Sequence, residues 1–358
     1  MKRRGLYRIR AHAAIALTLA ASLALAGCGK QTGDAEAIAG AAAAAGGEPE
    51  VLELRYQGSP GTVTLPELAE DLGYLAPVKL KWIGNTTSGP QSIQAATTGD
   101  TDFGGAFNGA IVKLIAAKAP ITALFGYYGE DAKTYNGYYV LEDSSIKGPR
   151  DLIGKQIAMN TLGAHHEFMV KEYLHRAGLT NEEIKQVTLL AIPPANGEQV
   201  LRQKQVEVST LGGIYQDKAK ERGGIRPVFT DLELFGEFTA GSIIMTNRFI
   251  KTNPNTTKKF VEGVAKAIEW SRTTPREEVI ARMEKIAKDR GRSEDNSNIK
   301  YWKSWGVAGK GGLIAEKEFQ VWIDWLVKDG QLKEGQLKAA DLYTNKFNPF
   351  FEEGKAAK

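Results

Sequence analysis

The stretch NTLGAHHEF, Asn160 to Phe168, sets two histidines beside a glutamate, and beyond the first thirty residues the chain has only one other histidine, His175. Imidazole next to carboxylate can bind a metal, act as a general base, or line a wall around an anion. The spacing argues against a metal: neighbours on a helix point about 100° apart, so His165 and His166 do not readily share one ion, and HHE lacks the i, i+4 pattern of HExxH. No Ser/His/Asp order and no paired-carboxylate signature stands out. No metal, cofactor or catalytic residue is therefore assigned, and the chain is not read as an enzyme. The stretch reads instead as a loop turning into a helix. Asn160 to Ala164 would present backbone donors to a cleft, His165 would touch a ligand, and His166 would pack or face solvent.

Four further loops share this character: Gly58-Ser59-Pro60-Gly61-Thr62, Gly84-Asn85-Thr86-Thr87-Ser88-Gly89, Gly104-Gly105-Ala106-Phe107-Asn108 and Leu211-Gly212-Gly213-Ile214-Tyr215. Each is rich in glycine and small hydroxyl or amide side chains, and each precedes a helical stretch. Glycine lets a backbone come close, helix N-termini offer free N–H groups, and Ser, Thr and Asn add neutral donors. The combination suits a small anion, although ordinary strand-to-helix turns use the same residues. Gly212 and Gly213 join the candidate contacts on this ground. No P-loop lysine and no GxGxxG occurs at these turns, so nucleotide binding gains no support. Tyr56, Trp82, Phe107 and Tyr215 flank the loops as possible cleft walls. Phe319, Trp322 and Trp325 recur at helical spacing, as do Trp302 and Trp305, and are expected to pack in a core or between the lobes. The polar run KDRGRSEDNSN, Lys288 to Asn298, reads as a solvated helix end and loop.

The elements that must position these loops form a rhythm. LELRYQ, VKLKWI and DFGGAF alternate or run apolar like strands, and helical stretches follow each. YNGYYVLED begins a second series, with KQIAMN, QVTLLAI and VEVSTLGG as strands between helices. This predicts an α/β protein of two doubly wound, mainly parallel lobes. The first lobe is expected over 51–141 plus 241–350, the second over 142–240, with 351–358 as a tail. The chain would cross between lobes at YYVLED and near GEFTAGSIIM, making a two-segment hinge. In open parallel sheets ligands sit beyond the carboxyl ends of strands, which is where the five loops fall. Asn253-Pro254 and Thr274-Pro275 open two later helices.

The charge of +4 comes from the leader: Lys2, Arg3, Arg4, Arg8 and Arg10 leave 41 basic against 42 acidic residues in the rest. A near-neutral body with scattered basic residues excludes general steering toward nucleic acid. Residues 1–27 read as a signal peptide, with a basic head and the apolar run AAIALTLAASLALA, too short to span a bilayer comfortably. LAGC, Leu25 to Cys28, resembles the bacterial lipobox, which implies cleavage before Cys28 and lipid on its sulfur; an ordinary secretory signal is the alternative. Cys28 is the single cysteine, so no intramolecular disulfide can form. Residues 28–50 are small and polar and are expected to form a flexible linker. The body would then be an exported monomer, anchored to the cell membrane and facing the periplasm or exterior.

LRYQGS, GDTDFGGAFNGA followed by KAPITAL, LIGKQIAMNTLGAHHE and VLRQKQVEVSTLGGIYQDKA are similar to motifs of the aliphatic sulfonate, nitrate and taurine binding proteins of bacterial ABC importers. The resemblance implies a type II periplasmic-binding-protein fold, closure on a small organic anion such as an aliphatic sulfonate, and delivery to a membrane permease and its ATPase. Carried over by motif position, the ligand contacts would be Gly58, Ser59, Thr86, Thr87, Ser88, Ala106, Phe107, Asn108, Thr161, Leu162, Gly163, Ala164 and His165. The chain departs from the pattern at Glu207, where relatives place an aspartate, and around His165–His166, and no cleft loop carries an evident arginine. A surface sensor or adhesion lipoprotein, or a thiamine-pyrimidine-synthase-like enzyme, are the alternatives on the same fold.

Overall fold

Alternation builds the first strand: in Glu53–Gly58 (β1), Leu54 and Tyr56 are buried while Glu53 is exposed. The computed structural model describes residues 30–354. Nine more strands follow: β2 (Lys79–Asn85), β3 (Gly104–Phe107), β4 (Ile121–Glu130), β5 (Asn136–Leu141), β6 (Gln156–Met159), β7 (Thr188–Ala191), β8 (Val208–Gly212), β9 (Ile225–Thr230) and β10 (Phe238–Thr246). β1 and β2 pair in parallel, and β3-β10-β4 form a second ribbon. Asp102 ties the two together: its backbone N–H donates to Arg55 O at 2.9 Å, and its carboxylate accepts from Arg55 N at 2.7 Å. The other lobe is one sheet ordered β7-β6-β8-β5-β9.

The parallel expectation holds for β1/β2, β6/β7 and β6/β8, but β10 runs antiparallel to β3 and β4, and β5 antiparallel to β8 and β9. The reason is the hinge. Most strands run toward the cleft, whereas a strand that has just crossed from the other lobe starts at the cleft and runs away from it. The crossings also lie elsewhere than expected. Tyr138, Tyr139 and Val140 of YYVLED are buried inside β5, so the chain changes lobe at 131–135 and returns through 231–237. The second lobe thus begins at Asn136 and ends before Phe238, in place of 142–240.

The later helices follow their signals. Pro254–Thr273 starts at the expected proline and buries Phe260, Val261, Val264 and Ile268 on one face. Lys317–Lys328 buries Phe319, Trp322 and Trp325, the expected core stripe. Burial of each such side chain contributes roughly 2–3 kcal/mol.

Two segments are tied to the first lobe more firmly than expected. The linker region contains a helix, Lys30–Ala44, whose Ile38 and Ala42 are buried against the first lobe, while Asp34 pairs with Lys251 at 2.7 Å. Alanine's helix propensity lets a segment with one bulky apolar residue fold once a neighbouring surface receives it. Lys288–Asn298 is the exposed helix end and loop expected, but within it the Arg290 and Arg292 side chains turn inward to an ion network: Arg290 reaches Glu67 at 3.1 Å and Glu294 at 2.7 Å, and Arg292 reaches Glu67 at 3.0 Å and the Tyr56 hydroxyl at 2.7 Å. The expected signal peptide and the expected lipidation site, Cys28, lie outside the described residues. No helix among the described residues is long and apolar enough to cross a membrane.

Candidate ligand-binding cleft

The first lobe's half of the cleft is set by capped helices. Thr64 and Glu67 form a reciprocal cap at the start of Leu65–Asp71, and Ser88 caps Gly89–Thr98. Glycine is required where that second helix meets the sheet: a Cβ on Gly104 would lie 2.5 Å from Ser92 O, and one on Gly89 2.8 Å from Ala106 Cβ. A cavity of about 280 Å³ opens above, rimmed by Gly58, Ser59, Thr86, Thr87 and Ser88. Its floor is aromatic: Tyr56, Phe103, Tyr127, Tyr128 and Trp305. No lysine or arginine lines it.

The second lobe contributes a cavity of about 140 Å³ lined by Asn160, His166, Ser209, Thr210 and Gly212, among others. Ser209 Oγ and Thr210 Oγ1 are buried there without hydrogen-bond partners. A third space of about 380 Å³ lies between the lobes, sharing Trp305 with the first cavity and Tyr215 with the second, and adding Gly213, Lys133, Tyr301 and Trp302. The jaws touch. Ser88 Oγ lies 3.4 Å from Thr161 Oγ1, Asn160 Nδ2 donates to Thr87 O at 3.3 Å, and Lys303 pairs with Asp217 at 2.7 Å. This is a closed arrangement.

The expected contacts divide. Gly58, Ser59, Thr86, Thr87, Ser88, Gly212 and Gly213 line cleft cavities. Thr161 sits on the closing edge, Leu162 is exposed, and Gly163, at φ 71°, donates its N–H to Glu167 at 2.8 Å. Ala164 is buried. Ala106, Phe107 and Asn108 are buried behind the cleft and line none of these cavities. Phe107 stacks on His165 at 4.8 Å, and Asn108 bonds Ser242 at 2.8 Å and the backbone of Thr239 at 3.3 Å. The histidine assignment reverses: His165 turns into the interior, 6% exposed, while His166 lines the second lobe's cavity. The helix His165–Arg176 begins where the sequence places it, and its first side chain turns inward onto Phe107. Burial, with neighbouring His165, pushes the His166 imidazole down to about 3, so it is neutral at physiological pH. Trp302 and Trp305 pack against the first lobe's core and line the space between the lobes, as expected, and Trp82 is exposed.

Sequence reasoning missed Tyr127 and Tyr128, because ITALFGYYGE was not read as a strand although their position at a strand end is the signal that found the other loops. It also missed the groups that surround His165. Glu130 at the end of β4 and Asp231 just after β9 lie 3.9 Å and 3.1 Å from His165 Nε2. The three offer one ligand atom each, all within 4.8 Å of one another, and all are buried. Sequence spacing, which set a metal aside on the His165–His166 pair alone, could not see partners 35 and 66 residues away.

Two α/β lobes joined by two crossings, with their loops closing on a cleft, make up the periplasmic binding-protein fold. The chain belongs to the NMT1/THI5-like family, whose model matches residues 68–278. No curated protein sequence matches the chain. Among solved structures, the aliphatic sulphonate binding protein SsuA of Escherichia coli is 20% identical, with a TM-score of 0.61 over 87% of this chain and 96% of that one. The nitrate-binding protein NrtA of Synechocystis PCC 6803 is 13% identical, with a TM-score of 0.65 over 84% and 88%. The alkanesulfonate-binding protein SsuA of Xanthomonas axonopodis pv. citri, bound to MOPS, is 18% identical, with a TM-score of 0.60 over 82% and 99%.

Proposed function

We propose that this chain is the substrate-binding component of an ABC importer, lipid-anchored at Cys28, which captures a small organic anion of the sulfonate kind and hands it to a membrane permease. The observation that carries the reading is the glycine and hydroxyl rim of the first-lobe cavity closing against Asn160 and Thr161 of the second lobe. Neutral donors around a floor of Tyr56, Tyr127 and Trp305 suit a singly charged head on an apolar body. Lys133, in the wall of the interlobe space, supplies positive charge nearby. Each lobe makes half a shell, so a ligand that touches both favours closure by its differential affinity. Calorimetry against alkyl and aryl sulfonates, taurine, nitrate and carboxylates tests this. Saturable one-to-one binding of a sulfonate, without turnover, is expected; hydrolysis, or no binding across the panel, overturns it.

A further inference from the structure

We propose that Glu130, His165 and Asp231 form a binding site for one divalent transition-series cation at the hinge, distinct from the ligand cleft. The three side chains come from three segments that converge here: the end of β4 in the first lobe, the start of the helix His165–Arg176 in the second, and the segment by which the chain crosses back. Two carboxylates stand together in the interior, 2% and 0% exposed, and among the described residues neither pairs with a lysine or arginine. Unpaired buried charge is costly, so such a pair takes up either a proton or a cation.

Two polar atoms in the cluster have no hydrogen-bond partner. His165 Nε2 faces both carboxylates, at 3.1 Å and 3.9 Å, without the directionality of a hydrogen bond, and Asp231 Oδ1 is unsatisfied and buried. An unsatisfied ring nitrogen buried beside two carboxylates is the arrangement of a ligand set. With metal–ligand distances of about 2.0 Å, tetrahedral ligand atoms lie about 3.3 Å apart, so only the wider edges of this triangle need contract. One imidazole and two carboxylates suit Zn²⁺ or Mn²⁺ better than a thiolate-seeking ion. The surroundings are those of a supported site. Asn136 Nδ2 donates to Glu130 Oε1 at 2.7 Å and to Asp231 Oδ2 at 3.2 Å, Asn136 N donates to Glu130 Oε2 at 2.9 Å, and Phe107 stacks flat on the imidazole. Asn136 lines the second lobe's cavity and Tyr128 the first lobe's, so the cluster lies one side-chain layer beneath the cleft and becomes reachable when the lobes part. A cation held there would join both lobes and favour the closed state.

The test is a zinc titration of the chelator-stripped chain by calorimetry, for the wild type, Asp231→Asn and, as an exposed-carboxylate control, Glu53→Gln. One equivalent should bind with micromolar or tighter affinity, weakened at least tenfold by Asp231→Asn and unchanged by Glu53→Gln. An anomalous difference map from zinc-soaked wild-type crystals should place the ion among the three side chains, whatever the folding of the variant. No binding, equal binding by Asp231→Asn, or an ion found elsewhere overturns the site. None of these outcomes depends on the cleft binding a sulfonate.

Discussion

His166 carries the clearest pH consequence of any single residue. Its folded-state value is depressed to about 3 from 6.5, so below 6.5 the unfolded chain binds the extra proton and stability falls as pH drops toward 3. Glu130, whose carboxyl burial and Asp231 push well above the usual range, acts in the opposite sense, since the folded state then holds the proton. The difference between wild type and His166→Gln isolates the histidine: the variant should lose less stability between pH 6.5 and 4 in chemical denaturation, and parallel curves would remove His166 from the acid response. Glu318 is a second case. Burial raises its carboxyl to about 7 from 4.5, so its contribution erodes as pH rises through that window. Glu318→Gln should therefore raise stability above pH 7, by up to about 3 kcal/mol, read by urea titration at pH 6 and 8. An equal effect at the two pH values would discount the titration. At this scale the sequence revealed what glycine and hydroxyl chemistry reveals. Thr86 to Ser88 were legible because their types and their place after a strand agree. His165 was not: the start of its helix was legible, but the direction of its side chain depends on Phe107 and on carboxylates distant in the chain.

Among the elements, the hinge strands matter most. β4 was not recognised as a strand, since Gly126 and Gly129 interrupt its apolar pattern and adjacent tyrosines break its alternation. Those glycines have tertiary causes. A Cβ on Gly129 would lie 2.2 Å from Phe238 O and 2.3 Å from Gly306 O, where backbone packs on backbone. Gly129→Ala should cost at least about 1–3 kcal/mol in urea denaturation, because carbonyl groups cannot rotate away as a side chain can; a neutral result would show that the crossing strands separate easily. The rest of the rhythm was legible because local signals were strong: Pro254 at the start of one helix, Pro275 just before another. The direction of β5 and β10 was not, because direction depends on which lobe the chain has just left. The closing edge also belongs to this scale. Thr161→Ala removes the partner of Ser88 and leaves the first-lobe cavity intact. It should weaken ligand binding by about 0.5–1.5 kcal/mol in calorimetry with the tightest sulfonate of the panel, and unchanged affinity would place no closing force in that contact.

For the molecule as a whole, closure and attachment are one mechanical problem. The helix Lys30–Ala44 is fastened along its length: Asp34 to Asn247 and Lys251, Ile38 and Ala42 into the first lobe, and the N–H groups of Gly46 and Gly47 to Asn255 at 2.8 Å each. An extended chain over residues 29–50 would reach about 75 Å and would let the body swivel freely. Docked as a helix, that length is used up against the first lobe. With lipid on Cys28, the anchored residue would lie close in the chain to a helix that moves with the body. The molecule would then stand on the bilayer as a fixed bracket, with the first lobe as its base and the second lobe as the moving jaw. The face offered to a permease would be selected by that bracket, and each encounter would begin with the cleft already aimed.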